Sequence, residues 1–282
     1  MIRQHTHDFD LALADLDAVL SMQPTNAQAW LTRASIYQVQ GRYEEARHAC
    51  QPLLRLAGRH VALTCLSDIA GLSGQATTSR EMLTGSLERP GISARERLWI
   101  LTVLAEMASR TGDASAAEKH FLDARSLGVK DHYLLGAYAD FLLDHGRATE
   151  VVTLLQHETR ADGLLLRLTL AEQALHLPAS KNHTAELAAR FAAGRERGTR
   201  VHVREEARFT LGLLHDSQTA LTLAQTNWAI QKEPWDARLL LEAALAADNK
   251  HAARPIIAWL HAHHVEDMRL QQLIAQIPEE KS

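Results

Sequence analysis

DFDLALADLDAVL (residues 8–20) and GRYEEARHACQPLL (residues 41–54) carry the same arrangement of small and large apolar residues. Phe9 and Ala12 in the first stretch return as Tyr43 and Ala46 in the second, each 34 positions further on. A recurrence at that spacing marks an array of helix pairs, each of which buries one face only by stacking on its neighbours. Length in such an array counts units, so 282 residues do not demand two globular cores.

Composition agrees with this. Leu and Ala dominate, aromatics are few, and the sparse Gly and Pro fall between periodic stretches, which predicts helices joined by short turns and almost no strand. The formal charge of −4 gives no strong field towards nucleic acid or an anionic membrane. MIRQHTHDFD has no apolar signal-peptide core, which says nothing of a leader if sequence upstream is missing, and the apolar run Leu239–Ala247 is interrupted by Glu242, so no membrane insertion is expected. The chain reads as soluble, with its compartment, cytoplasmic or periplasmic, left open. Cys50 and Cys65 occupy apolar positions of adjacent predicted helices. They read first as buried, reduced small hydrophobes, with one disulfide between neighbouring helices as the alternative.

Along the chain, Pro24-Thr25-Asn26 closes one helix and caps the next, which is predicted from about Ala27 to Gln40 and stops at Gly41. Trp30, Ala34 and Tyr37, followed by Gly41, Tyr43 and Ala46, resemble the tetratricopeptide repeat, although Arg33 stands where that family usually has leucine. Leu101, Leu104, Ala105, Ala108 and Gly112, then Ala117, Phe121 and Ala124, make a fuller unit. A weaker unit spans Val61 to Leu87 with its turn at Gly74, and another runs from His132 through Gly146 to about Leu155. The small residues Ala34, Ser67, Ala105 and Ala139 let the two helices of a pair approach closely.

The rhythm then slips. A helix from Gly163 to Leu177 is followed by Pro178-Ala179-Ser180-Lys181-Asn182-His183, read as a loop before a helix from about Thr184 to Arg197. Weaker repeats return over Arg204–Gln231 and Asp236–His261. The expected organisation is a regular array over residues 1–157, an irregular helix pair over 158–202 and degenerate repeats over 203–282, all in one continuous solenoid. Phe9–Met22 aligns with the second helix of a unit whose first helix is missing. That would leave Leu13, Leu16 and Leu20 partly uncovered at about 1.5–3 kcal/mol per side chain, so upstream sequence is expected.

The resemblance implies an all-α, right-handed superhelical α-solenoid whose first helices line a concave groove, the residue after each small packing residue pointing into it. Those positions are Ser35, Asp68, Glu106, Asp140, Glu172 after Ala171, and Glu242 after Leu241. A row of carboxylates on successive helices would raise the negative potential and attract a basic, extended segment. Trp99 and Tyr133, which begin adjacent first helices on the same side, could anchor an apolar side chain, although packing between repeats is the plainer explanation. The Lys and Asn with which some related repeats grip a C-terminal carboxylate are replaced by Leu31 with Ser35, Thr64 with Asp68, and Thr102 with Glu106.

Other chemistry finds little support. His261, His263 and His264 cluster at a helix end without a third ligand at helical spacing or a cysteine, and no metal is expected. His157-Glu158 lacks a second histidine four positions on, and no phosphate loop or Gly-x-Ser-x-Gly turn occurs. Arg195, Arg197, Arg200 and Arg204 form a basic patch diluted by Glu196 and Glu205, so no nucleic acid is expected. Trp228, Trp235 and Trp259 read as terminal core. The expected function is a non-enzymatic protein or peptide interaction scaffold without cofactor, its groove lined by Asp68, Trp99, Thr102, Glu106, Tyr133, Asp140 and Glu172. The alternative is a self-associating, homodimeric scaffold.

Overall fold

An amphipathic helix of a dozen residues can cover its apolar stripe only against other helices, and this chain meets that requirement by pairing and stacking. The computed structural model describes residues 6–198 and 202–277. Helix α1 (Phe9–Met22) packs on the first pair, α2 (Ala27–Val39) with α3 (Tyr43–Cys50), the latter extended by one turn, α4 (Leu53–Leu56). Three pairs follow: α5 (Arg59–Gly71) with α6 (Ala76–Leu87), α7 (Ala94–Arg110) with α8 (Ala114–Ser126), and α9 (His132–Asp144) with α10 (Ala148–Leu155). The later pairs are α11 (Asp162–Ala174) with α12 (Ala179–Glu196), α13 (Val203–Gly212) with α14 (Ser217–Trp228), and α15 (Pro234–Ala246) with α16 (Arg254–His263). A last helix, α17 (Met268–Ile274), lies against α15.

The first helices contact one another in sequence from α2 to α17, so one row of helices runs through the whole stack. This is an all-α solenoid, with no strand among the described residues. None of the described helices is long and apolar enough to cross a membrane. The small residues sit where the helices of a pair meet: Ala34, Ser67, Ala105, Ala139 and Ala171 are all buried. Many helix starts are capped by side chains, as when Asn26 accepts from the Ala29 N–H at 3.0 Å and Ser93 forms a capping box with Glu96.

Each pair turns on one residue in the left-handed region. In the first four pairs it is Gly41, Gly74, Gly112 or Gly146; in the last three it is His176, His215 or Asp248, with φ of 55°, 56° and 49°. The glycine signature therefore fades while the geometry persists. The stretch after Pro178 is not a loop, because α12 already starts at Ala179. Proline tolerates the first turn of a helix, having no N–H to leave unpaired there.

Cys50 and Cys65 form a disulfide, with Cα atoms 5.9 Å apart. Reading them as reduced hydrophobes is corrected: both are buried, and the stacking of α3 on α5 brings them together. Their separation of 15 residues corresponds to about 3 kcal/mol in the chain-entropy account. The stack also meets itself. Tyr43 and Ile69 share an apolar cluster with Trp228, Trp259 and Leu270, and the Lys232 N–H donates to the Val39 carbonyl at 2.7 Å.

Candidate functional site

On α5, α7 and α9 the small residues Ser67, Ala105 and Ala139 are buried, and the side chain after each reaches the cavity lining. Asp68 on α5, Glu106 on α7 and Asp140 on α9 thereby meet at a single cavity of about 700 Å³. Tyr133, at the start of α9, lines it too. Its ring is 64% exposed, and its hydroxyl donates to Glu106 Oε1 at 2.9 Å.

The three carboxylates face different environments. Asp68 accepts a hydrogen bond from Gln38 Nε2 at 2.9 Å, and burial raises its pKa against the opposing effect of that bond and of Arg110. Glu106 is pushed up to about 7, mainly by burial and also by Asp68, while Arg110 and the Tyr133 hydroxyl pull the other way. Asp140 is different. Burial opposes its ionisation, but Arg167 at 2.6 Å and Arg208 at 2.7 Å outweigh it and hold its pKa below the ordinary value. The expectation of a uniformly acidic row is thus corrected at Asp140, whose charge is already balanced by two guanidinium groups.

Glu172 also departs from expectation. It is buried, outside the cavity lining, with its Oε2 2.7 Å from His183 Nδ1 on the partner helix α12. Thr102 is buried and donates to the Leu98 carbonyl at 2.8 Å, as threonines within helices do. Trp99 is half-buried against apolar side chains. Neither Thr102 nor Trp99 reaches the cavity. Asp68, Glu106, Tyr133 and Asp140 are brought together; Trp99, Thr102 and Glu172 are not.

The lining also includes residues that the sequence did not assign to the groove. Arg208 and Arg238 approach the Trp235 ring with guanidinium carbons 4.5 and 4.2 Å from its centroid. Trp235 therefore lines the cavity, whereas Trp228 and Trp259 belong to the core as expected. Arg238 also clamps Asp144 with two hydrogen bonds of 2.7 and 2.6 Å, joining α15 to α9. Arg204 pairs with Asp236 at 2.5 Å and with Glu233, so it is not part of a free basic patch; Arg200 lies outside the described residues. Burial raises the pKa of Glu233, with Arg204 opposing. The only signal that could have marked these residues is their density around Arg204–Arg208 and Glu233–Arg238.

The chemistry available is ionic and hydrogen-bonding recognition. No group of three or more His, Cys, Asp or Glu among the described residues is arranged to hold a metal. Residues 5–62 match the family model described as tetratricopeptide repeat. No curated protein matches the chain. Among solved structures, a tetratricopeptide repeat protein from Parabacteroides merdae ATCC 43184 is 11% identical, with 88% of this chain and 97% of that one covered, at a TM-score of 0.47. The TPR domain of P58(IPK) is 14% identical, with 99% of each chain covered, at a TM-score of 0.27. The match to the tetratricopeptide repeat thus covers residues 5–62, and helix pairs stack on one another through the rest of the described residues.

Proposed function

We propose that this chain is a non-enzymatic interaction module whose cavity accepts a basic side chain from an extended segment of a partner protein. Tetratricopeptide repeats, which residues 5–62 match, generally mediate protein–protein interaction or assembly. The observation that carries the finer reading is the pairing of Asp68 with Glu106 on successive first helices. Both face the cavity, neither forms a salt bridge to arginine, and Tyr133 stands beside them with an accessible ring. An incoming ammonium or guanidinium group would supply the counter-charge that burial withholds, and the aliphatic stem of the side chain would lie on the tyrosine ring.

A dye-labelled peptide of alternating Lys and Ala tests this, with alternating Glu and Ala as the control. The Lys peptide should bind the wild-type chain, and Asp68→Asn with Glu106→Gln should weaken it at least about tenfold, which is 1.4 kcal/mol. Affinity should also rise between pH 6 and 8 as Glu106 ionises around its pKa of about 7, and Glu106→Gln alone should flatten that rise. Equal binding of the two peptides, or an unchanged affinity in the double variant, defeats the reading. Asp140 is left intact because its carboxylate holds Arg167 and Arg208 in place.

A further inference from the structure

Three glycine turns of the early pairs are in contact with the C-terminal part of the chain. A Cβ on Gly41 would lie 3.1 Å from Trp259 Nε1, one on Gly74 would lie 3.0 Å from His264 Cβ, and one on Gly112 would fall 2.1 Å from Met268 Sδ. At Gly146, the corresponding turn of the fourth pair, nothing approaches within 4 Å. The contacts form a line along one edge of the first three pairs. His264, left-handed at φ 52°, ends α16 and directs the chain onto that edge.

A hydrogen bond reinforces the seam. Gln75, at the N-cap of α6, offers no side-chain cap, and the free Ala76 N–H instead donates to Glu266 Oε2 at 2.9 Å, a partner 190 positions away. A carboxylate at a helix start is favoured both by the unpaired N–H and by the helix dipole. Beyond the seam, Leu270 and Leu273 are buried and α17 is anchored on α15, whereas Met268 is 46% exposed. The segment is thus packed on its own end of the solenoid and meets the second and third pairs at Gly74, Ala76 and Gly112, while Trp259 and Lys232 hold the first pair at Gly41 independently of it. It also bounds the cavity, since Asp267, Met268, Arg269 and Gln272 line it opposite Asp68 and Glu106.

We propose that residues 264–274 form a clasp that closes the solenoid on itself and controls entry to the cavity. Closed, it leaves a cavity of about 700 Å³, enough for one or two side chains. Released from Gly74, Ala76 and Gly112, it opens the cavity along that edge to a longer segment. The gating half of the proposal rests on the cavity being the binding site. The clasp itself does not.

Because Cys50 and Cys65 are bridged, cysteines introduced at the exposed positions Thr77 and Gln271 are the free thiols of the double variant and take spin labels across the seam. Pulsed dipolar spectroscopy should give a dominant short distance with a minor longer one. Adding Glu266→Ala and Met268→Ser, which adds no negative charge to the cavity and leaves Leu270 and Leu273 untouched, should shift the distance distribution to longer values at unchanged helicity. The Lys-Ala peptide should then associate about tenfold faster, as expected if only a tenth of the parent molecules are open. Bridging the two cysteines with a short bismaleimide should slow association. An unchanged distance in the helical variant overturns the clasp, and equal association rates in released and bridged proteins overturn the gating. If no form binds the peptide, the basic-ligand reading falls, and the distances alone decide the clasp.

Discussion

Under the proposed reading, Glu106 joins stability to recognition. In the unfolded chain its carboxyl ionises near the ordinary value of 4.5, whereas in the folded chain burial delays this to about 7. Between those values the folded state binds the extra proton, so this residue's contribution to stability is complete below pH 4.5 and is lost as pH rises through 7. The difference corresponds to a ceiling of about 3 kcal/mol. Glu106→Gln keeps an acceptor for the Tyr133 hydroxyl but carries no charge. It should therefore resemble wild type in urea denaturation at pH 4.5 and be more stable at pH 8. Equal stability at both pH values would show that the carboxylate is solvated. Such a residue is costly to a scaffold unless a partner's cation offsets its burial.

Among the elements, the turns explain why the repeat signature weakens after His157 although the pairing does not. Gly41, Gly74, Gly112 and Gly146 adopt positive φ without steric cost, which makes the early pairs visible in the sequence. His176, His215 and Asp248 hold the same place with a Cβ, at about 1–2 kcal/mol of strain each. His and Asp are among the residues that enter this region more readily than most, and the helices on either side hold them there. His176→Gly should raise stability by up to about 1 kcal/mol, seen as a higher midpoint in thermal denaturation. A lower midpoint would mean that the imidazole stabilises the turn more than its strain costs. Pro178 misleads in the same way, since it opens α12 and does not end a helix.

For the whole molecule, ionic bonds between distant pairs hold the solenoid's inner face. Asp140 links α9 to α11 through Arg167 and to α13 through Arg208, and Asp144 links α9 to α15 through Arg238. Asp140→Ala leaves two half-buried guanidinium groups without their partner and should cost about 3–5 kcal/mol in urea denaturation. A loss below 1 kcal/mol would show that water replaces the carboxylate and that the network is not a structural tie. Salt bridges of this reach are invisible to periodicity. Arg208 lies 68 positions from Asp140 and Arg238 lies 94 from Asp144, so no local pattern pairs them.

What the sequence determined by itself was the helix pair and its stacking. Small residues at Ala34, Ser67, Ala105 and Ala139, apolar stripes and glycine turns act over a few residues, and the physics of close helix packing leaves one arrangement for them. The resemblance proposed a row of groove positions, of which Asp68, Glu106, Tyr133 and Asp140 line one cavity while Trp99, Thr102 and Glu172 do not. Only the tertiary structure decided which of these carboxylates remain without an arginine, that Trp235 lines a cavity and not the core, that Cys50 reaches Cys65, and that the C-terminal segment meets the second and third pairs. Small rotations between neighbouring pairs accumulate along a solenoid, and their sum, not any single pair, sets what meets across the inner face.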